Sequence, residues 1–441
     1  MAAASVISSS CRSLPIISHR RSAPPISFQQ QPPTGAALKE LQRRRRHPSS
    51  RHVVASVATT DRWAPPVTGD TDRGSQHAET SGRRSDDDQQ LAARWREIHG
   101  SNNWEGLLDP IDDVLRAELI RYGELAQATY DSFDYDRFSP YCGTITRLEW
   151  LADLTTNQRR LSDMGIPCPD PRVKVEMGFA ELYTGKDAEC RFCRYSAREQ
   201  ALAEVRKLVE LYHSKGEEVS VTVTGHSLGS ALAMLNAFDI AETGANASAS
   251  KKAPVSVFSF AGPRVGNLDF KRRFETELGV RALRVVNVHD TVPKVPGVVF
   301  NEAAFPEAVL RAVDGLGVGG VYAHLGVPLA LDHEASPFLK RTMDISCYHN
   351  LEAHLHLLDG FRGAGEGFEP RGRDPALVNK SADFLRDDHM VPPVWYQAEN
   401  KGMVRTEDGR WVLPPRHRDI DQHPEDTEHH LKQLGLNAAS T

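Results

Sequence analysis

No run of eighteen apolar residues occurs in this chain, so the sequence offers no membrane-spanning helix. The nearest approach, Asp314 to Leu331, is broken by glycines and by His324 and reads as loop. Cysteine is scarce, six scattered in 441 residues, which excludes a disulfide-built scaffold. Cys190-Arg-Phe-Cys193 lacks the second pair a zinc site would need, and reads as two ordinary thiols or else a redox-sensitive pair. The glycine run at 363–367 has neither a strand before it nor a helix after it. Neither a metal nor a nucleotide site is visible, and no cofactor is expected.

Acidic residues are almost missing from the first sixty positions. Glu40 stands there alone against eight Arg and one Lys, a balance of +8; with −6 for the whole chain, the remainder carries −14. This segment is also rich in Ser, Pro and Gln. Ser-rich, Arg-rich and acid-poor is the composition of an organelle transit peptide, assigned to 1–55, with Val53-Val-Ala-Ser56 as a plausible processing site. Chloroplast is the first destination and mitochondrion the second. The alternative, a basic arm for nucleic acid or anionic lipid, sits poorly beside −14 over the rest, and no nucleic-acid partner is expected. Residues 56–88 are polar, end in Asp86-Asp-Asp88, and read as disordered linker.

What the chain does contain is Gly225-His226-Ser227-Leu228-Gly229. Before it, residues 218–225 alternate apolar and polar as a strand does; after it, residues 228–238 are rich in helix formers. A strand passing through G-x-S-x-G into a helix is a nucleophile elbow. Ser227 is then exposed on a strained turn, and a side chain at either flanking glycine is expected to collide with neighbouring backbone. The following helix, beginning at Leu228, aims its first N–H groups and positive dipole end at any oxyanion formed there. This is the signature of a serine hydrolase.

Around the elbow, strands and helices alternate. A helix is expected to open at Asp109-Pro110, with Ile111, Val114, Leu115, Leu119, Tyr122 and Leu125 along one face. Val173–Phe179 reads as a strand, and Ser196-Ala-Arg-Glu199 as a capping box. Strands at Pro254–Ala261 and Arg281–Val288 flank a helix at Leu268–Leu278, and residues 301–345 read as loops and short elements. The pattern implies an α/β fold with a mostly parallel sheet covered by helices, spanning 89–365. Residues 366–441 form a polar extension that packs on this domain, ragged at its end. Its apolar patches are Val394-Trp-Tyr396 and Val412-Leu413.

Ser227 needs a base, and the base an orienting carboxylate, in the chain order Ser, Asp, His. Asp290 follows an apolar strand at the point where it leaves the sheet. The base is open among His324, His333, His349, His354, His356, His389 and other downstream histidines. His349 lies just before an amphipathic helix at 351–358, whereas His354 and His356 lie inside it and read as half-buried face residues.

Several separated motifs appear together in order: Tyr141-Cys-Gly-Thr-Ile-Thr-Arg-Leu-Glu-Trp150, Lys174-Val-Glu-Met-Gly-Phe179, Ser196-Ala-Arg-Glu-Gln200, Thr222 through Leu232, Phe260-Ala-Gly-Pro-Arg-Val-Gly-Asn267 and His289-Asp-Thr-Val-Pro-Lys-Val-Pro-Gly297. Over residues 95–415 the chain resembles the plant class I phospholipase A1 family, class 3 lipases of α/β-hydrolase type. The resemblance implies Ser227 as nucleophile, Asp290 as the acid that orients the base, and His349 of Tyr348-His-Asn-Leu-Glu352 as that base. It implies hydrolysis of the sn-1 ester of phospholipids or galactolipids at a membrane surface, and a plastid role releasing fatty acids. It also puts Thr144 beside Leu228 in the oxyanion hole, and a lid at Arg147–Leu154 with Trp150, Leu151 and Leu154 on its lipid-facing or core-packing side.

One stretch departs from the family. Relatives carry a buried strand into their Arg-Gly-Thr turn, whereas this chain reads Phe138-Ser-Pro-Tyr-Cys-Gly-Thr144 with no apolar strand before it. A span of several dozen residues is absent and its edges are joined. The alternative function is therefore a lipase-like protein without catalysis that serves as a signalling partner.

Overall fold

The computed structural model describes residues 2–6, 53–55, 89–135, 157–186, 194–249, 251–297, 301, 304–316, 320–396, 403–406 and 410–412. Six strands form one sheet: β1 (Ala2–Val6), β2 (Val53–Ala55), β3 (Val219–His226), β4 (Val255–Phe260), β5 (Arg281–Asn287) and β6 (Val327–Leu331). Their order is β2-β1-β3-β4-β5-β6, with every neighbouring pair parallel. Residues 2–6 thus lie beside β3, and residues 53–55 form the outer strand beyond them. Residues 56–88 lie outside those described.

Alternation along the strands splits the interior in two. Val219, Val221, Val223, Val255, Val257 and Ala282 face one core, shared with helices α2 (Ala197–Ser214) and α3 (Leu228–Glu242). Phe258, Phe260, Leu283 and Val285 face the other, shared with α1 (Asp113–Tyr135) and α4 (Leu351–Gly360). A parallel sheet buried on both faces follows. Ser196 and Glu199 form the capping box that starts α2.

Four local expectations shift. The first helix begins at Asp113, because Asp112, and not Asp109, accepts the N–H groups of Val114 and Leu115. Asp109 instead accepts from the Ala364 N–H. Only Lys174–Glu176 is extended within 173–179; the Glu176 carboxylate then accepts from Phe179 N–H and caps the helix Met177–Thr184. Leu268–Leu278 is helical as Leu268–Arg272 continued by a wider π turn, Arg273–Glu277. The apolar stretch ending at Leu331 is not all loop: its last five residues are β6, in register with β5 from Leu283 opposite Val327. Pro328 is tolerated there because β6 is the edge of the described sheet.

Residues beyond 365 join the same interior. Val378, Ala382, Phe384 and Leu385 pack with α1 and α4, and Ala376, Trp395 and Met403 form a small core of their own. Arg373 pairs with buried Glu352 on α4, and Lys380 Nζ reaches Asp131 on α1 at 2.6 Å.

Between β3 and α3 the chain turns through Ser227, at φ +58° and ψ −126°. That is a strained backbone for a residue with a Cβ. The turn is pinned by Ser227 N–H to Phe260 O at 2.9 Å and by the Ser230 hydroxyl to Gly225 O at 2.5 Å. A Cβ on Gly225 would lie 2.3 Å from the Gly229 carbonyl oxygen, whereas one on Gly229 would meet nothing within 4 Å. The expectation that both glycines are sterically required is therefore corrected: the close approach belongs to Gly225 alone. Gly225→Ala should fail to give soluble protein or lose at least about a hundredfold in esterase rate, since a backbone clash must displace the turn. Gly229→Ala should stay within a few-fold of wild type in the same p-nitrophenyl ester assay, and equal losses in both would refute the assignment.

Helix α4 holds His354 and His356 fully inside rather than half-buried, at 0% and 2% exposed. His354 Nδ1 donates to Asn350 O at 2.9 Å and its Nε2 accepts from Asn287 N–H; His356 Nε2 meets the Ser336 hydroxyl at 2.9 Å. Burial pushes both imidazoles down, His356 to about 3. Their folded pKa values lie below the unfolded value of about 6.5, so the unfolded chain takes up the protons first. Stability is thus full above that value and falls as pH drops below it, for His356 down toward pH 3, as the unfolded chain binds a proton the folded one does not. Urea midpoints should decline from pH 6.5 to 4, and His356→Gln should flatten the slope by close to one proton; an unchanged slope would show that His356 is not buried neutral.

Candidate active site

Ser227 sits at the carboxyl end of β3, Asp290 three residues beyond β5, and His349 between the short helix Ile345–Tyr348 and α4. Parallel strands bring such ends to one edge of the sheet. His349 Nε2 lies 2.7 Å from Ser227 Oγ, and its Nδ1 lies 2.7 Å from Asp290 Oδ2. The Asp290 carboxylate is wholly buried, and its Oδ1 accepts from Val292 N–H at 2.9 Å. A hydroxyl, an imidazole and a fixed carboxylate in this chain of contacts can pass the serine proton to the ring and stabilise the resulting imidazolium.

Helix geometry positions the rest. Leu228 is the first residue of α3, so its N–H is among those with no partner inside the helix, and the positive end of α3 adjoins Ser227. Thr144 and the Arg147–Leu154 segment lie outside the described residues, as do Cys190 and Cys193. Among the candidate histidines, His349 is the one that meets Ser227. His354 and His356 are core residues, His389 stacks on Phe338 at 5.0 Å, and His333 packs against Tyr348. His324 directly follows Tyr322-Ala323, and its carbonyl accepts from Lys271 Nζ at 2.6 Å.

Sequence reasoning passed over His226 and Tyr130. Ser220, Thr222, Thr224 and His226 are alternate residues of β3, all on the face toward α1, where Thr224 Oγ1 approaches Tyr122 O. Tyr130, eight residues after Tyr122 on α1, meets His226 Nδ1 at 2.8 Å. His226 Nε2 donates to the backbone carbonyl of His349 at 2.9 Å, and the two rings lie 4.7 Å apart. The carbonyl can only accept, so Nε2 carries the proton and a neutral His226 takes the Tyr130 hydroxyl on Nδ1. The strand alternation in 220–226 is the sequence signal that could have pointed to His226.

A family model described as lipase (class 3) matches residues 141–300. The chain is 46% identical to phospholipase A1-Igamma1, chloroplastic, of Arabidopsis thaliana, covering 78% of this chain and 82% of that one. It is 44% identical to Igamma2, chloroplastic, of the same plant, over 80% and 82%, and 36% identical to phospholipase A1-II 6 of Oryza sativa subsp. japonica, over 75% and 97%. Among solved structures, a lipase from Rhizopus microsporus var. chinensis is similar at 20% identity, with a TM-score of 0.35 over 52% of this chain and 78% of that one. The Igamma1 alignment is 428 positions long, yet 78% of 441 residues is about 344, so about 84 positions have no residue from this chain. With the class 3 model and these identities in hand, the chain belongs to the plant class I phospholipase A1 family of class 3 lipases, carboxylic ester hydrolases that act on lipids.

Proposed function

We propose that this protein cleaves the sn-1 ester of a phospholipid or galactolipid, with Ser227 as nucleophile, His349 as general base and then acid, and Asp290 as the carboxylate that orients it. The observation that carries this reading is the pair of 2.7 Å contacts linking the three side chains. His349 Nε2 takes the Ser227 proton as Oγ attacks the ester carbonyl. The oxyanion that forms accepts from Leu228 N–H and the Thr144 hydroxyl. As the tetrahedral species collapses, the lysolipid alkoxide leaves with the proton from His349. Water, deprotonated by the same imidazole, then releases the fatty acid and restores Ser227.

The relatives named chloroplastic, together with the acid-poor leader, support a plastid location, with residues 1–55 as transit peptide, 56–88 as linker, 89–365 as the lipase domain and 366–441 as an extension packed on it. Substrate would be met by peripheral contact at a membrane surface; no helix among the described residues is long and apolar enough to cross a membrane. A second reading, a family member without catalysis, draws on the roughly 84 unmatched positions.

Fatty-acid release from sn-1- and sn-2-labelled phosphatidylcholine and monogalactosyl lipid separates the two. Sn-1 release should fall by at least about a thousandfold in Ser227→Ala. No release from a folded wild-type chain would establish the non-catalytic reading instead. Tyr130→Phe should lower kcat by about fivefold with KM unchanged, the worth of one neutral hydrogen bond that steadies the base through His226. An unaltered kcat would remove Tyr130 from the active machinery.

A further inference from the structure

We propose that His289, Asp332 and His333 form a binding site for a divalent cation of the zinc type, placed at the ends of β5 and β6 and separate from the triad. One ring nitrogen of each histidine and a carboxylate oxygen of Asp332 all lie within 4.8 Å of one another. His289 Nε2 is 3.3 Å from Asp332 Oδ1, and the two imidazole rings lie 4.6 Å apart at 80°. The sequence could not reveal this grouping, because His289 and Asp332 are distant in the chain and meet only through the pairing of β5 with β6.

The donors are held by the fold. Val288 N–H bonds to Leu331 O at 2.9 Å, which locks together the two strand ends that carry them. Asp332 Oδ1 accepts from Glu334 N–H at 2.9 Å, fixing the carboxylate. The His333 ring is wedged against Tyr348 at 4.6 Å and Phe384 at 5.4 Å. His333 is only 3% exposed, and the protein offers its buried Nδ1 no hydrogen-bond partner. Buried polar atoms are otherwise satisfied as a rule, so this imidazole is out of place in a purely structural role. His289 and Asp332 are 37% and 49% exposed, which leaves the cluster open to solvent on one side.

Two imidazoles and one carboxylate suit a zinc-type ion that completes its shell with water, whereas calcium and magnesium require mostly oxygen donors. Bonds of ~2.1 Å to a tetrahedral ion place donors ~3.4 Å apart, within reach of small side-chain rotations of the two exposed ligands. Both Asp290 oxygens are already engaged, by His349 and by Val292 N–H, so the ion would brace the turn that carries the acid without taking a ligand from it.

The test uses the full chain stripped with chelator and titrated with Zn2+ by calorimetry, with Co2+ as a visible-spectrum probe and thermal melts alongside. One Zn2+ should bind per chain and raise Tm by several degrees, roughly the linkage shift for a ligand in large excess over its Kd. His289→Gln and Asp332→Asn, both at exposed positions, should each weaken binding by at least about tenfold, while His349→Gln should retain it. Binding that survives both of the first two variants, or that is lost in His349→Gln, would overturn the proposal, as would a thiolate charge-transfer band with Co2+ or the absence of a bound equivalent.

Discussion

One backbone conformation governs this molecule: the positive φ of Ser227, forced where β3 passes directly into α3. Nothing in serine favours that geometry. It persists because Gly225 lets the helix carbonyl at Gly229 come within a distance no side chain would allow, and because Ser230 and Phe260 tie the turn from below. From that one constraint follow the projection of Oγ toward His349, the placement of the α3 N-terminus beside it, and the orientation of His226 toward α1. The strain is stored at the reacting atom and borne by the two cores on either side of the sheet.

Much of this was readable from residues. The alternation in 218–225, the small residues after Ser227 and the Ser196–Glu199 box each rest on local chemistry, and each produced its element. Asp290 could be placed because a strand visibly ends before it. The base could not be chosen from spacing, since ten histidines follow Asp290; only the packing of α4 against α1 sends His354 and His356 inward and leaves His349 at the helix mouth. Strand β6 was hidden by glycines and by Pro328, because an edge strand tolerates residues that a central one does not. The helix start was displaced from Asp109 to Asp112 because a tertiary contact, Ala364 N–H, claimed the first carboxylate.

The histidines illustrate how one residue type is sorted by its surroundings. His349 is poised between a hydroxyl and a carboxylate. His226 keeps its proton on the nitrogen that faces a carbonyl. His354 and His356 are held neutral by burial. His289 and His333 are brought together by neighbouring strand ends. No sequence pattern distinguishes these four conditions; the sheet order does.

Strand β1 pairs with β3 along five successive residues, and it lies within the Ser-rich, acid-poor stretch proposed as a transit peptide. If the leader is the proposed transit peptide, the same residues serve as an address and as a wall of the sheet. Removal of the leader would unzip the outer row of backbone groups on the strand that carries Ser227. Under that reading, maturation would be a change in hydrogen bonding as much as in length, and precursor and processed chain would be two distinct folding problems.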